Sequence, residues 1–249
     1  MEHAFFLIAT GLIGGSMNAL AGGGSLVTLP ALIAAGIPSI SANATGTVAM
    51  LPGGITSAAV YRRDWRRVAD VPFTAMLLVT LVGGGVGALL LLTTPERLFD
   101  RVLPWLLLTA TITLAFAPRV GPWLQARVVF GRLPLLIGQF LLGIYGGYYG
   151  GAVGLMMLAL WGLIDRADIK ALAGTRNAMV SAANCVAMLC FVLAGVIHWY
   201  VALLVGSGAI IGGYAGARLG QKLSPHIVRG ATLILCSAIT IAFFIRTYP

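Results

Sequence analysis

Apolar runs follow one another along nearly the whole chain, from residue 4 to residue 246, with only short charged stretches between them. This excludes a soluble domain of useful size, because a water-facing surface needs polar residues that the sequence does not hold. Of 249 residues, 59% are hydrophobic and 9% charged, and the mean hydropathy of +0.97 is that of an integral membrane protein. The opening MEHAFF has no basic n-region, and the first apolar run ends in GGGS without a small-x-small cleavage site. That run is therefore expected to stay as a helix rather than leave as a signal.

Reading the runs between breakers gives ten segments: 4–21, 25–36, 40–61, 69–93, 98–117, 133–149, 152–164, 170–197, 199–219 and 226–246. Two are too short to cross: 25–36 and 152–164 would rise only ~20 Å at 1.5 Å per residue, against a hydrocarbon core of ~30 Å. Each follows a glycine cluster, Gly22-Gly23-Gly24 in one case and Gly150-Gly151 in the other.

The ten segments divide into two fives that resemble each other. GLIGGSMNALAGGG (11–24) faces GIYGGYYGGAVG (143–154), ANATGT (42–47) faces AGTRN (173–177), and GGGVGA (83–88) faces IGGYAGA (211–217). The expected fold is an all-α polytopic membrane protein made of two inverted-topology repeats of about five helical segments each. They cover residues 1–117 and 133–249, are joined by a cytoplasmic linker at 118–132, and each begins with a broken or re-entrant helix.

Charge placement tests the inversion. With the RRDWRR loop (62–67) in the cytoplasm and five crossing equivalents per half, the inner loops hold Arg62, Arg63, Arg66, Arg67, Arg119, Arg127, Arg132, Arg166, Lys170, Arg176, Arg218, Lys222 and Arg229. The outer side holds only Arg97, Arg101 and Arg246. Merging each short segment with its predecessor would instead divide the 16 basic residues evenly, so positive-inside bias favours the inverted arrangement. Both termini are then expected outside. The net charge of +9 fits either positive-inside placement of these loops or attraction of anions toward a pore; no soluble aromatic-basic patch points to nucleic acid.

Irregular backbone at membrane depth is tolerated only where protein buries it or a wet cavity faces it. The triplet Gly22, Gly23 and Gly24 lets the chain turn and start a short helix at Ser25, whose free N–H groups and positive dipole end suit a small anion. The second short segment, after Gly150 and Gly151, offers the same arrangement from the other half. Asn18, Ser25, Asn43, Thr45 and Thr47 are candidate neutral hydrogen-bonding groups, with Thr175 and Asn177 from the second half. Arg176 either faces a cavity and holds an oxyanion bidentately or snorkels to the cytoplasmic headgroups. Elsewhere, Gly83-xxx-Gly87 and Gly212-xxx-Gly216 have the spacing of close helix packing.

All seven acids, Glu2, Asp64, Asp70, Glu96, Asp100, Asp165 and Asp168, fall in loops or at segment edges. A cation carrier with a buried acid is therefore not expected. Anion uniport, or movement of a weak acid whose own proton provides the coupling, fits better. Cys185, Cys190 and Cys236 lack metal or redox spacing, and neither metal nor cofactor is expected. His198, beside Trp199, reads as an interfacial residue.

Taken together, GLIGGSMNALAGGGSLVTLPALIAAGIPSISANATGT (11–47), GIYGGYYGGAVGLMMLALWGLI (143–164) and GAIIGGYAGARLGQKLSPHIVRGATLIL (208–235) resemble the TauE/SafE sulfite exporter family of bacterial membrane proteins. The resemblance covers nearly the whole chain. It implies a multi-pass plasma-membrane carrier for small anions such as sulfite, sulfoacetate or related organosulfonates and carboxylates, with protons as a candidate coupling ion. The family pattern falls on Asn18, Gly22, Gly23, Gly24, Pro30 and Thr45, and on Gly150, Gly154 and Thr175. Where the first half has a glycine triplet the second reads GGAVG, so an asymmetric site is expected. Two other classes compete. A channel would use GGYYGG as its constriction but lacks a repeated carbonyl-filter motif, and an intramembrane enzyme using Ser25 lacks a buried histidine partner in the sequence.

Overall fold

The chain folds into α1 (Glu2–Ala21), α2 (Ser25–Ala34), α3 (Ser39–Val60), α4 (Phe73–Thr93), α5 (Glu96–Gln125), α6 (Arg132–Tyr148), α7 (Val153–Trp161), α8 (Ala173–Leu193), α9 (Trp199–Lys222) and α10 (Pro225–Thr247). This is a computed structural model, and it describes residues 2–60, 65, 67–68, 71–125, 131–163 and 172–248. Arg62, Arg63, Arg66, Arg127, Arg166 and Lys170 of the charge count lie outside the described residues, as do Asp64, Asp70, Asp165, Asp168 and the side chain of Arg119.

Among the described residues the fold is all-helical apart from an isolated bridge between Val68 and Val71, and six segments are long and apolar enough to cross a membrane. Helix α3 is not one of them, because it carries Ser39, Asn43, Thr45, Thr47 and Ser57, all buried. Neighbouring helices cover α3, so these groups meet protein rather than lipid. At the periphery, Trp105, Ile112 and Phe116 of α5 and Ile234, Ile241 and Ile245 of α10 stay exposed, as lipid contact requires.

Small residues set the helix pairing. A β-carbon on Gly83 would lie 2.6 Å from Phe140 O, and one on Gly87 would overlap Ile144 O, so α4 and α6 touch backbone to backbone. Gly208, Gly212 and Gly216 of α9 meet Ile8, Leu12 and Ser16 of α1 in the same way. Both registers rise together, so each pair is parallel. Helix α3 also runs parallel to α9, with Gly206 near Ala49 and Gly213 on Gly53. Helix α8 runs parallel to α4, with Ala183 on Gly84 and Val186 on Gly85. In contrast α3 and α8 are antiparallel, since Gly54 faces Ser181 and Ser57 faces Asn177. So are α5 and α10, where Trp105 packs on Phe244 and Leu114 O meets Arg229.

The starts of α3 and α5 share one face of the bundle, where Glu96 Oε1 accepts from Ser39 Oγ (3.2 Å) and Ile40 N (3.3 Å). The end of α10 lies on the same face, with the Tyr248 hydroxyl donating to Arg101 O at 3.1 Å.

The fifth helix runs past the expected end at 117. Pro118 has no N–H to give to Leu114 O, which ordinarily ends a helix. Here Arg229 fills the gap from α10, its Nε donating to Leu114 O at 2.8 Å and its Nη2 to Ala115 O at 3.0 Å. The helix continues to Gln125, into the stretch read as linker. Helix α8 stops at Leu193, earlier than the expected 197, because Gly195 turns the chain with φ +68°.

Candidate functional site

Two helix breaks form the centre of the molecule. The first follows α1: Gly22 N makes the last bond back to Asn18 O (2.7 Å), and Gly22 takes φ +65°, a conformation costly to any residue with a β-carbon. Gly24 N then meets Asn18 Oδ1 at 3.5 Å, and α2 starts with Leu26 N donating to Gly23 O and Thr28 Oγ1 to Gly24 O. Glycine is also required at 24 by space, since a β-carbon would lie 2.8 Å from Gly14 O and 2.9 Å from Asn18 Cβ.

The second break follows α6. Tyr149 N and Gly150 N both return to Tyr145 O, and the chain turns at Gly150 with φ +78°. Ala152 takes φ +57°, where alanine is strained by roughly 1–2 kcal/mol. In the first half the residue before the short helix is Gly24, with an ordinary helical φ of −56°. The two breaks thus differ in geometry as well as in sequence. The Tyr145 hydroxyl lies 3.0 Å from Gly151 O and 3.2 Å from Leu106 O, tying the second break to α5.

The breaks touch. Gly154 N at the start of α7 donates to Gly22 O at 3.4 Å, and a β-carbon on Gly22 would lie only 2.6 Å from Gly154 Cα. A β-carbon on Gly23 would be 3.2 Å from Ala152 Cα, and one on Gly150 would be 3.3 Å from Ser25 Oγ. Met50 of α3 lies beside Gly24, and Val180 of α8 beside Gly22, so the contact sits level with the middle of both helices. Gly22, Gly23, Gly24, Ser25, Gly150 and Gly151 are therefore neighbours, with Asn18 at the edge of the group.

Arg176 is buried, at 4% exposure, and its head points to the end of α1 rather than to the membrane surface. Nη1 donates to Leu20 O (2.9 Å) and Nη2 to Ala19 O (2.7 Å). Nε and Nη2 also reach Asn177 Oδ1, at 3.0 and 2.8 Å. Asn177 Nδ2 in turn donates to Ser57 Oγ at 2.7 Å, linking α8 to α3. These bonds match the guanidinium to the negative end of α1's dipole. Its stem packs on the second break, Cδ lying 3.1 Å from where a β-carbon on Gly154 would stand. One arginine thus braces both breaks.

The remaining candidates are spread more widely. Asn43 Nδ2 donates to Tyr148 O (2.9 Å), capping the end of α6. Thr45 Oγ1 accepts from His198 N at 3.1 Å, towards the face where α3 begins, and Thr47 Oγ1 is spent on Asn43 O. Thr175 is fully buried in the first turn of α8. The sequence reading passed over Ser57 and Tyr145. A serine in a helical run looks like ordinary packing, although a tyrosine between the glycine pairs of GIYGGYYGG was a usable signal for a hydroxyl near the break. Another polar cluster lies apart from the breaks: Trp161 Nε1 donates to Gln139 Oε1 (2.9 Å), and Gln139 Nε2 to Thr80 Oγ1 (2.8 Å), stitching α7, α6 and α4 together.

Two broken helices in contact at the centre of a polytopic helical bundle is an arrangement found in multi-pass membrane transporters. The family model for the sulfite exporter TauE/SafE matches residues 7–243, and the chain belongs to that family. It is 29% identical over 237 residues to a "Probable membrane transporter protein" of Haemophilus influenzae, covering 94% of this chain and 91% of the relative. It is 28% identical over 229 residues to "Probable membrane transporter protein YfcA" of Escherichia coli K12, covering 89% of this chain and 84% of that protein. No solved structure matches it significantly.

Proposed function

We propose that this protein is a carrier that exports small anions, sulfite or related organosulfonates and carboxylates, across the bacterial plasma membrane by alternating access. The observation that carries the reading is the contact of Gly22 with Gly154, where two short helices begin at one point in the protein interior. Their amino ends, α2 at Ser25 and α7 at Val153, bring positive dipole ends together, and Arg176 adds a cation beside them. Asn18, Gly22, Gly23, Gly24, Ser25, Gly150 and Gly151 form the substrate site, and the anion enters by parting the two breaks. Arg176 acts on the site by holding α1 and lending charge; Thr175 and Asn177 support it.

The two halves, 1–117 and 133–249, act as inverted repeats. Supporting this, α1, α3 and α9 run one way and α4, α6 and α8 the other, so sequence-equivalent helices oppose each other. Rocking one half on the other would expose the contact point to each side in turn.

The test is counterflow in proteoliposomes containing the purified protein. Saturable exchange of labelled sulfite or sulfoacetate is expected. Unsaturable ionic currents would overturn the carrier in favour of a channel, and turnover of the anion into a new product would overturn it in favour of an enzyme.

A further inference from the structure

We infer a second site, for a small monovalent cation, at the carboxyl end of α6; it rests on the carrier reading above. A glycine with positive φ follows each of α1 and α6, directly at Gly22 and after Tyr149 at Gly150, and each helix has carbonyls of its last turn capped from the third helix of the other half. At α1 the cap is a permanent cation, Arg176, on Ala19 O and Leu20 O. At α6 the cap is a neutral amide, Asn43 Nδ2 on Tyr148 O.

The difference matters because an amide that gives a donor brings an acceptor with it. Asn43 Oδ1 is the one buried side-chain polar atom among the described residues without a hydrogen-bond partner, and Asn43 is only 2% exposed. Leaving such an oxygen unpaired carries the full desolvation penalty of a buried acceptor. It belongs to the same amide that holds Tyr148 O, so it stands at the negative end of α6, which carries roughly half an electronic charge. An anion is repelled there. A cation meets an orphan oxygen at a helix carboxyl end, the kind of end at which broken-helix carriers coordinate sodium or a proton.

Ser39 lies one turn before Asn43 and hydrogen-bonds the exposed carboxylate of Glu96, a negative group at the surface of that face. The other titratable groups around the site are Tyr145 and Tyr148 of α6, Tyr149 just past its end, Cys236 of α10 and His198 ahead of α9. Asn43 itself does not titrate, so the candidates are sodium and hydronium.

Both are tested on the purified full-length protein in detergent, by binding of radioactive sodium in a choline background and by thermal unfolding. Sodium as the ligand predicts saturable binding that falls at least about tenfold in Asn43→Ala and tightens about tenfold in Asn43→Asp, each worth ~1.4 kcal/mol. Hydronium predicts no sodium effect, with acid-induced stabilisation whose midpoint moves in Asn43→Asp and is lost in Asn43→Ala. If Asn43→Ala does not fold, Asn43→Asp decides alone. The inference is overturned if neither sodium nor acid shifts wild-type melting, or if Asn43 variants respond as wild type does. Sulfite-induced stabilisation in choline, measured on the same samples, keeps the outcomes apart: with it present and cation effects absent, only this site fails; with both absent, the carrier reading fails too.

Discussion

Replacing Arg176 with methionine preserves a long apolar stem on Gly154 and removes every donor. Ala19 O, Leu20 O and Asn177 Oδ1 would each lose the guanidinium hydrogen bonds they now accept. A buried acceptor left unsatisfied costs ~1–3 kcal/mol, so the three together set a ceiling of ~9 kcal/mol. Two effects lower it. Water can reach the partly buried contact at Leu20 O, and removing the arginine returns the several kcal/mol spent on desolvating its charge. About 3 kcal/mol of net destabilisation is expected. At ~2–4 °C per kcal/mol for a chain of this size, that lowers the melting temperature by roughly 6–12 °C. Arg176→Lys keeps the charge and can reach one or two carbonyls, so it should lose about half as much. The assay is thermal unfolding in detergent followed with a thiol-reactive dye, for which buried Cys236 is the reporter, beside sulfite affinity on the same sample. Unchanged melting with strongly weakened sulfite binding would refute the reasoning, because the arginine would then be a substrate ligand and not a brace for α1.

Gly23→Leu places a side chain against Leu26 and Ala152, where a β-carbon already stands 3.1–3.2 Å from its neighbours; counterflow should vanish while membrane insertion, read by fractionation, stays normal. Ala152→Gly relieves a positive φ and should raise stability by about 1 kcal/mol, a melting increase of ~2–4 °C. Arg229→Leu strands the carbonyl that Pro118 leaves without an N–H, and Pro118→Ala supplies that N–H again. A double-mutant cycle on melting should therefore show about 1 kcal/mol of coupling, and simple additivity would separate the two residues.

The helices were legible in the sequence to within a few residues because, in a membrane, apolar length and glycine or proline punctuation decide where a helix can lie. Even the short α2 and α7 were visible from the glycines before them. Long-range partners were not. Arg176 meets carbonyls of α1 that lie more than half the chain away, and nothing local to ALAGTRNAM indicates an inward head rather than a snorkelling one. Asn43 is similar: as an isolated polar residue it suggested a donor for an anion, but Tyr148 O takes the donor and leaves only the acceptor. The full length of α5 is not legible because Pro118 is a breaker by its own chemistry, and its rescue by Arg229 depends on a helix that follows a hundred residues later. The asymmetry of the two breaks is signalled by GGAVG, although nothing local indicates that an alanine there accepts a left-handed turn.

The exchange of caps between halves also fixes an order of events during synthesis. When α1 enters the membrane its final carbonyls have no partner, and the residue that will close them, Arg176, is still untranslated. Until α8 emerges, the nascent chain carries an open polar end that must be sheltered by the insertion machinery or by water. A ribosome stalled between the halves would release a fragment whose first helix cannot be completed. Quality-control proteases that recognise exposed polar backbone within the bilayer would have an unambiguous mark to read.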